Sequence, residues 1–142
     1  MDVIAYDPFV DHVEMEPFGA EKTTALRELC ARSDVVSLHA AVTPSSRGMI
    51  GPEAFAAMPD DAYFINTARA ALIEDGALLA ALETDEIRGA ALDIYPEEPI
   101  AETDPLLAMD TVVIACAARK PTALAVGGSA FAPSGQPRRH LG

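Results

Sequence analysis

Five short, mainly apolar runs, set apart by polar and helix-forming stretches, constrain this chain more than any other feature. They are "VIAY" (3–6), "VVSL" (35–38), "YFIN" (63–66), "AALD" (90–93) and "VVIA" (112–115). Short apolar runs without strict alternation read as strands buried on both faces. Between the first two, "TALRELCARS" places Leu26 and Leu29 at helical spacing, and Asp34 ends the segment. "GPEAFAAM" (51–58) puts Pro52 just inside a helix start, where the missing N–H is no loss. "EDGALLAALETD" (74–85) carries acids in its first turn and Leu78, Leu79 and Leu82 on one face. Strands alternating with helices predict βαβ units, hence a parallel α/β sheet, doubly wound with helices on both faces and right-handed crossovers.

The 142 residues suit one domain with a real core. No apolar run approaches the roughly 20 residues that cross a bilayer, and "MDVIAYDPFV" opens on an acid and reads as a strand rather than a signal peptide. No membrane partner is expected. Cys30 and Cys116 match no metal spacing and read as reduced thiols of a cytoplasmic protein, with no metal site. The net charge of −12 argues against nucleic acid, whose phosphates need clustered Lys and Arg. That charge is uneven: residues 1–114 hold 6 Lys+Arg against 22 Asp+Glu, a balance of −16, whereas 115–142 hold four basic residues and no acid. The expected division is a domain over 1–118 and an atypical, disordered tail over 119–142, rich in Ala, Gly, Pro and Arg.

Ligands of an open parallel sheet bind at the carboxyl ends of its strands. The residues there are Asp7, His39, "NTAR" (66–69), and Asp93 with "IYPEEP" (94–99), while the last run is followed by little chemistry before Arg119 and Lys120. Each has an ordinary use. Asp7 and Asp93 suit strand-end turns, Arg69 a surface ion pair, and the Glu97–Glu98 pair a solvated loop.

Three segments then carry a resemblance. "SDVVSLHAAVTPSSRGMI" (33–50), "FINTARAALIEDGALLAAL" (64–82) and "RGAALDIYPEEP" (88–99) follow the order and spacing of the D-isomer-specific 2-hydroxyacid dehydrogenases, over residues 2–114. The resemblance implies a Rossmann-like NAD-binding domain that passes a hydride between NAD and a small 2-hydroxy or 2-oxo acid, within a possible homodimer. It implies that Asp7 holds the adenosine ribose and disfavours a 2′-phosphate, so that NAD is preferred to NADP. Ala40 would meet the cofactor through its backbone, Thr67 and Ala68 would line its nicotinamide end, and Asp93 would hold the carboxamide. Arg69 would grip the substrate carboxylate and polarise the 2-oxo group. Glu98 would orient a catalytic His and raise its pKa, with Glu97 as the alternative.

The chain departs from the family pattern in several places. Ala70 stands where Gly is usual, so the loop holding Arg69 is expected to be strained or shifted. Ala41 replaces a Pro after His39. No G-x-G-x-x-G occurs, so the fold is expected to be truncated before that loop, without its pyrophosphate cradle. Ala115, Cys116 and Ala117 stand where the pattern runs Thr-Pro-His, and His140 lies in the tail. A general acid/base is commonly worth roughly 10²–10⁴ in rate, so turnover by this chain alone is expected to be negligible. The switch in composition and the loss of the motif at the same point suggest a change of reading frame near Ala115. Translation of the coding DNA in the other frames would reveal a "P-H" continuation if so. Two other classes fit less well. A non-catalytic NAD-binding or dimerisation module of corepressor type lacks the glycine loop. A phosphoacceptor receiver would need paired acids after the first strand, and only Lys120 matches its pattern.

Overall fold

All five apolar runs form strands. The computed structural model describes residues 1–95 and 100–115. Glu97, Glu98, Cys116, Ala117 and the tail therefore lie outside the described residues. The elements run β1 (Val3–Tyr6), α1 (His12–Met15), β2 (Ala20–Thr23), α2 (Leu26–Arg32), β3 (Val35–Leu38), α3 (Pro52–Phe55), β4 (Tyr63–Asn66), α4 (Ala77–Glu83), β5 (Gly89–Leu92) and β6 (Val112–Ile114). Short 3-10 turns lie at Glu16–Phe18, Ala70–Leu72 and Pro105–Ala108.

Every pairing is parallel. β3, β4, β5 and β6 form one four-stranded sheet in chain order, and β1 and β2 form a separate pair. In the larger sheet Leu38, Asn66, Leu92 and Ile114 share one register row. Three crossovers thus bring four strands to a common carboxyl edge. Ala115 N–H continues the ladder to the Leu92 carbonyl at 2.8 Å.

The core lies on one face of that sheet. Val36, Leu38, Phe64, Ala90 and Leu92 join Cys30 of α2, Ala54 and Phe55 of α3, and Ala77, Leu78, Ala81 and Leu82 of α4 in a single buried cluster. Phe55 and Phe64 meet edge to face, with centroids 5.1 Å apart at 72°, and so lock α3 onto β4. Full burial of such a side chain stabilises by about 1.5–3 kcal/mol. The expectation of strands buried on both faces needs correction. Val35, Ser37, Tyr63 and Val113 are exposed, so β3 and β4 alternate inside and outside. The described helices α2, α3 and α4 pack into the other face, and Arg88 stacks over the exposed Tyr63 ring at 5.9 Å.

β2 was not anticipated, because "AEKT" has no apolar run. Its position depends on polar contacts. The Arg32 guanidinium of α2 forks onto both Glu21 oxygens at 2.7 and 2.8 Å and also reaches Glu28 at 3.0 Å. This fork holds the Glu21 carboxyl below the usual carboxylate range. Lys22 Nζ donates to the Val10 carbonyl, tying the loop after β1 to β2.

Two outcomes follow from this packing. A Cβ on Gly89 would sit 2.5 Å from the Thr111 carbonyl oxygen, against backbone that cannot swing aside. Gly89→Ala is therefore expected to lower the unfolding free energy by about 1–3 kcal/mol, measured by urea denaturation. Burial pushes the Cys30 thiol up to about 11. A smaller thiolate fraction together with lost access should slow its reaction with a disulfide reagent at pH 8 by about a hundredfold or more until the chain is unfolded, as a Cys30-only variant (Cys116→Ser) would reveal.

Candidate functional site

The register row decides where side chains can converge. Each strand of the larger sheet ends level with its neighbours, so the residues that follow share one edge. A cavity of about 660 Å³ opens there, lined by His39, Ala40, Ala41, Val42, Arg47, Ala68, Arg69, Ala70, Ala71, Ile94 and Tyr95. That volume suits a small molecule.

Its wall is set by a buried amide. Asn66, the last residue of β4, is fully buried. Its Oδ1 accepts the Ala68 N–H at 3.0 Å and its Nδ2 donates to the Arg69 carbonyl at 3.0 Å. One side chain therefore satisfies both arms of the loop between them, and among the described residues no buried side-chain N or O lacks a partner. Arg69 is extended, at φ −154° and ψ 138°, and its guanidinium donates to the Ala68 carbonyl at 2.6 Å. Ala70 then begins a 3-10 turn, and among the described non-glycine residues only Asp85 has positive φ. The expected strain at Ala70 is absent, because helical backbone at this position does not require Gly.

A second loop is clamped to the first. Gly48 N–H donates to the Ala71 carbonyl at 2.9 Å, Ile50 N–H to Leu72 at 3.0 Å, and Glu74 N–H to Ile50 at 2.9 Å. Gly48 is left-handed, at φ 63°, a conformation that Gly adopts without penalty. Arg47, immediately before it, thereby reaches the same cavity as Arg69. Ser37 Oγ lies 3.0 Å from His39 Nε2 at the end of β3.

Of the residues singled out from the sequence, Ala40, Ala68 and Arg69 line the cavity together, with His39. Thr67 and Asp93 flank it without lining it. Asp93 N–H donates to the Asn66 carbonyl at 3.1 Å, and Asp93 is partly buried. Asp7 belongs to the other sheet, at the end of β1, where its Oδ1 accepts the Phe9 N–H at 2.8 Å. This is the turn-capping use of an Asp, and it leaves Oδ2 without a hydrogen bond among the described residues. Glu98 lies outside the described residues. Sequence reasoning quoted the segments that hold Asn66, Arg47 and Tyr95 but gave these three residues no role; the Tyr95 hydroxyl donates to the Leu92 carbonyl at 2.9 Å. Arg47 carried a signal, as the one Lys or Arg between Ser33 and Thr67.

The family model described as D-isomer specific 2-hydroxyacid dehydrogenase, NAD binding domain, matches residues 1–116. The chain belongs to this family. It is 42% identical over 113 residues to a D-3-phosphoglycerate dehydrogenase of Methanocaldococcus jannaschii, covering 80% of this chain and 21% of that protein. Among solved structures it is similar to a phosphoglycerate oxidoreductase from Vibrio cholerae O395, at 31% identity and a TM-score of 0.75, over 81% of this chain and 37% of that one. It is also similar to a D-isomer specific 2-hydroxyacid dehydrogenase from Xanthobacter autotrophicus Py2 solved with NADPH and MES. There the identity is 34% and the TM-score 0.72, over 80% of this chain and 36% of that one. The chain thus spans about a fifth of the length of that curated relative. The Rossmann-like α/β fold and the NAD-binding character of the domain follow from this membership.

The residues fit that cofactor in part. Among the described residues Asp7 keeps one carboxylate oxygen without a hydrogen bond at a strand end, and the small residues Ala40, Ala41 and Ala68 line the cavity. A glycine-rich cradle for the pyrophosphate is absent from the sequence. Among the described residues no three His, Cys, Asp or Glu side chains group as metal ligands, and no helix is long and apolar enough to cross a membrane.

The Asn66 amide offers a direct check. Asn66→Leu keeps the volume but strands the Ala68 N–H and the Arg69 carbonyl, so stability should fall by about 1–3 kcal/mol in urea denaturation.

Proposed function

We propose that this domain supplies the cofactor-facing half of the active site of an NAD-dependent D-2-hydroxyacid dehydrogenase. The observation that carries the reading is the convergence of Arg69, Ala40 and Ala68 on one cavity at the carboxyl edge of a parallel sheet. In this reading the free oxygen of Asp7 accepts hydrogen bonds from the adenosine ribose, and its charge disfavours a 2′-phosphate. Ala40 contacts the cofactor through its backbone. Thr67 and Ala68 border the nicotinamide end, and Asp93 orients the carboxamide. Bound NAD supplies the hydride-accepting carbon.

Arg69 holds the substrate carboxylate by a charged fork and draws electron density from the 2-oxo oxygen. Its own bond to the Ala68 carbonyl at 2.6 Å supports this role, since that bond ties the head group to the loop before substrate arrives. Glu98 orients and charges the histidine of the complete site. Positions 115–117 of this chain are Ala, Cys and Ala, so the histidine that would serve the 2-oxygen is missing from its place in the family pattern, and turnover by the chain alone is expected to be negligible. The similar D-3-phosphoglycerate dehydrogenase and phosphoglycerate oxidoreductase support a small 2-hydroxy acid as the substrate class. The domain would work in the cytoplasm, within a homodimer in the complete protein.

Titration of the purified chain with NADH, followed by cofactor fluorescence and with folding checked by circular dichroism, tests the reading. Saturable binding is expected, with NADH preferred to NADPH, and Asp7→Ala should erase most of that preference. A folded chain that binds neither dinucleotide, or an unchanged preference in Asp7→Ala, would overturn the assignment.

A further inference from the structure

The larger sheet buries one face and leaves the other open. Side chains two apart on a strand share a face. The register places Val35 beside Tyr63, and Ser37, Ile65, Ala91 and Val113 in one row. These residues alternate with Val36, Leu38, Phe64 and Ala90, which α2, α3 and α4 cover on the other side. Val35, Tyr63 and Val113 are 52%, 45% and 63% exposed, and Arg88 stacks over the Tyr63 ring.

An apolar sheet face gains by a cover. A second copy and a tethered segment of the same chain compete for the place, and magnitudes separate them. A stable interface takes roughly 800 Å² from each partner. A whole aromatic side chain offers only about 150–250 Å², so three part-exposed side chains fall short. Two copies would also bring together bodies that each carry a balance of −16 over residues 1–114. A tether avoids most of the cost of association, because it holds its segment at an effective concentration of about millimolar.

The chain has such a segment. Ala115 closes the described ladder at the carboxyl end of β6, an outer strand of this sheet. Residues 116–142 follow, with Leu124 and Val126 as their first branched aliphatic residues. At about 1.5 Å per helical residue or about 3.3 Å per extended one, residues 116–126 are long enough to recross strands of three or four residues. The segment carries Arg119, Lys120, Arg138 and Arg139 and no acid. Exposed Asp34, Asp60, Asp61 and Asp110 lie just ahead of β3, β4 and β6, along the amino edge of the sheet. Composition alone predicts disorder for this segment, and apolar area to bury changes that balance.

We propose that the segment after β6 folds back over the open face, seating Leu124 and Val126 against Tyr63, Ile65, Ala91 and Val113 and turning its cations toward the aspartates of the amino edge. Such a cover needs apolar side chains and a tether, so it requires no family motif in the segment. It is independent of the cofactor reading.

The test uses the full ¹⁵N-labelled chain carrying Cys116→Ser and Ser129→Cys, with a nitroxide attached at position 129 and Cys30 protected by burial. Amide signals of Tyr63, Ile65 and Val113 should lose most of their intensity, while those of Ala54 in α3 and Leu78 in α4 keep theirs. Leu124→Asp with Val126→Asp should restore the lost signals, and the milder pair Leu124→Ser with Val126→Ser should restore part of them. No loss, a loss equal on both sides of the sheet, or one that persists in both paired variants would overturn the proposal. Mixing spin-labelled chain without ¹⁵N into ¹⁵N chain without the nitroxide should leave all signals intact. Loss at Tyr63 and Val113 in that mixture would overturn it in favour of a second copy.

Discussion

Parallel pairing in a common register is the constraint on which the rest depends. Parallel strands need crossovers, and here each crossover returns the chain so that Leu38, Asn66, Leu92 and Ile114 lie in one row. The loops after β3, β4 and β5 therefore open onto one edge. That edge is also where backbone groups leave the ladder and need other partners. Asn66 answers this need with its side chain, and the Gly48–Ile50 segment answers it with backbone bonds to Ala71–Glu74. The site is thus a product of how the sheet terminates. Arg69 and Arg47 are carried by loops, but each loop is anchored to a rigid element within two or three residues.

Electrostatics act against the background of the chain. A balance of −16 over residues 1–114 repels small anions at long range. A cavity that holds two of the six cations and, among the described residues, no acid reverses the sign locally. The contrast favours a small anion at this one place on an otherwise acidic surface. Arg32 shows the other use of a guanidinium here: it is consumed by Glu21 and Glu28, and it fastens α2 to β2. Local geometry separates the two uses, since Arg32 has acids within reach on both its own helix and β2.

The sheet was legible because apolar runs at the right spacing leave few alternatives, and the helices at Leu26–Arg32, Pro52–Phe55 and Ala77–Glu83 fall inside the stretches read as helical. β2 was not legible, since its stability comes from backbone pairing and ion pairs that "AEKT" does not advertise. Burial on one face was missed for a related reason. Val35 and Tyr63 are as apolar as strands buried on both faces would be, and nothing in their own sequence tells which face a helix will cover. Motif order pointed to Ala40, Ala68 and Arg69, which line one cavity. Arg47 needed the fold, because its place depends on a loop-to-loop register between segments more than twenty residues apart in sequence, and Asn66 needed it because only burial shows that its amide is spent on its own loop. The anticipated strain at Ala70 assumed that a usual Gly marks positive φ. A 3-10 turn makes that requirement unnecessary.

The two sheets are unequally supported. The continuous buried cluster begins at Cys30 and ends at Leu92, and every strand of the larger sheet except β6 contributes to it. In β1 no residue is buried, and Val3 is exposed. Segments with few buried contacts open at lower free energy than a core does. Among the described residues, Arg69 is consequently carried by the better-buried sheet, while Asp7 follows a strand with no buried residue. In the proposed reading, a cofactor that spans both would lose freedom mainly at its adenosine end, where the protein must order itself as well as the ligand. In the same reading the substrate end meets a wall already set by Asn66. Affinity for the cofactor should therefore depend on whatever holds β1 in place, and substrate discrimination on loops that are fixed without it.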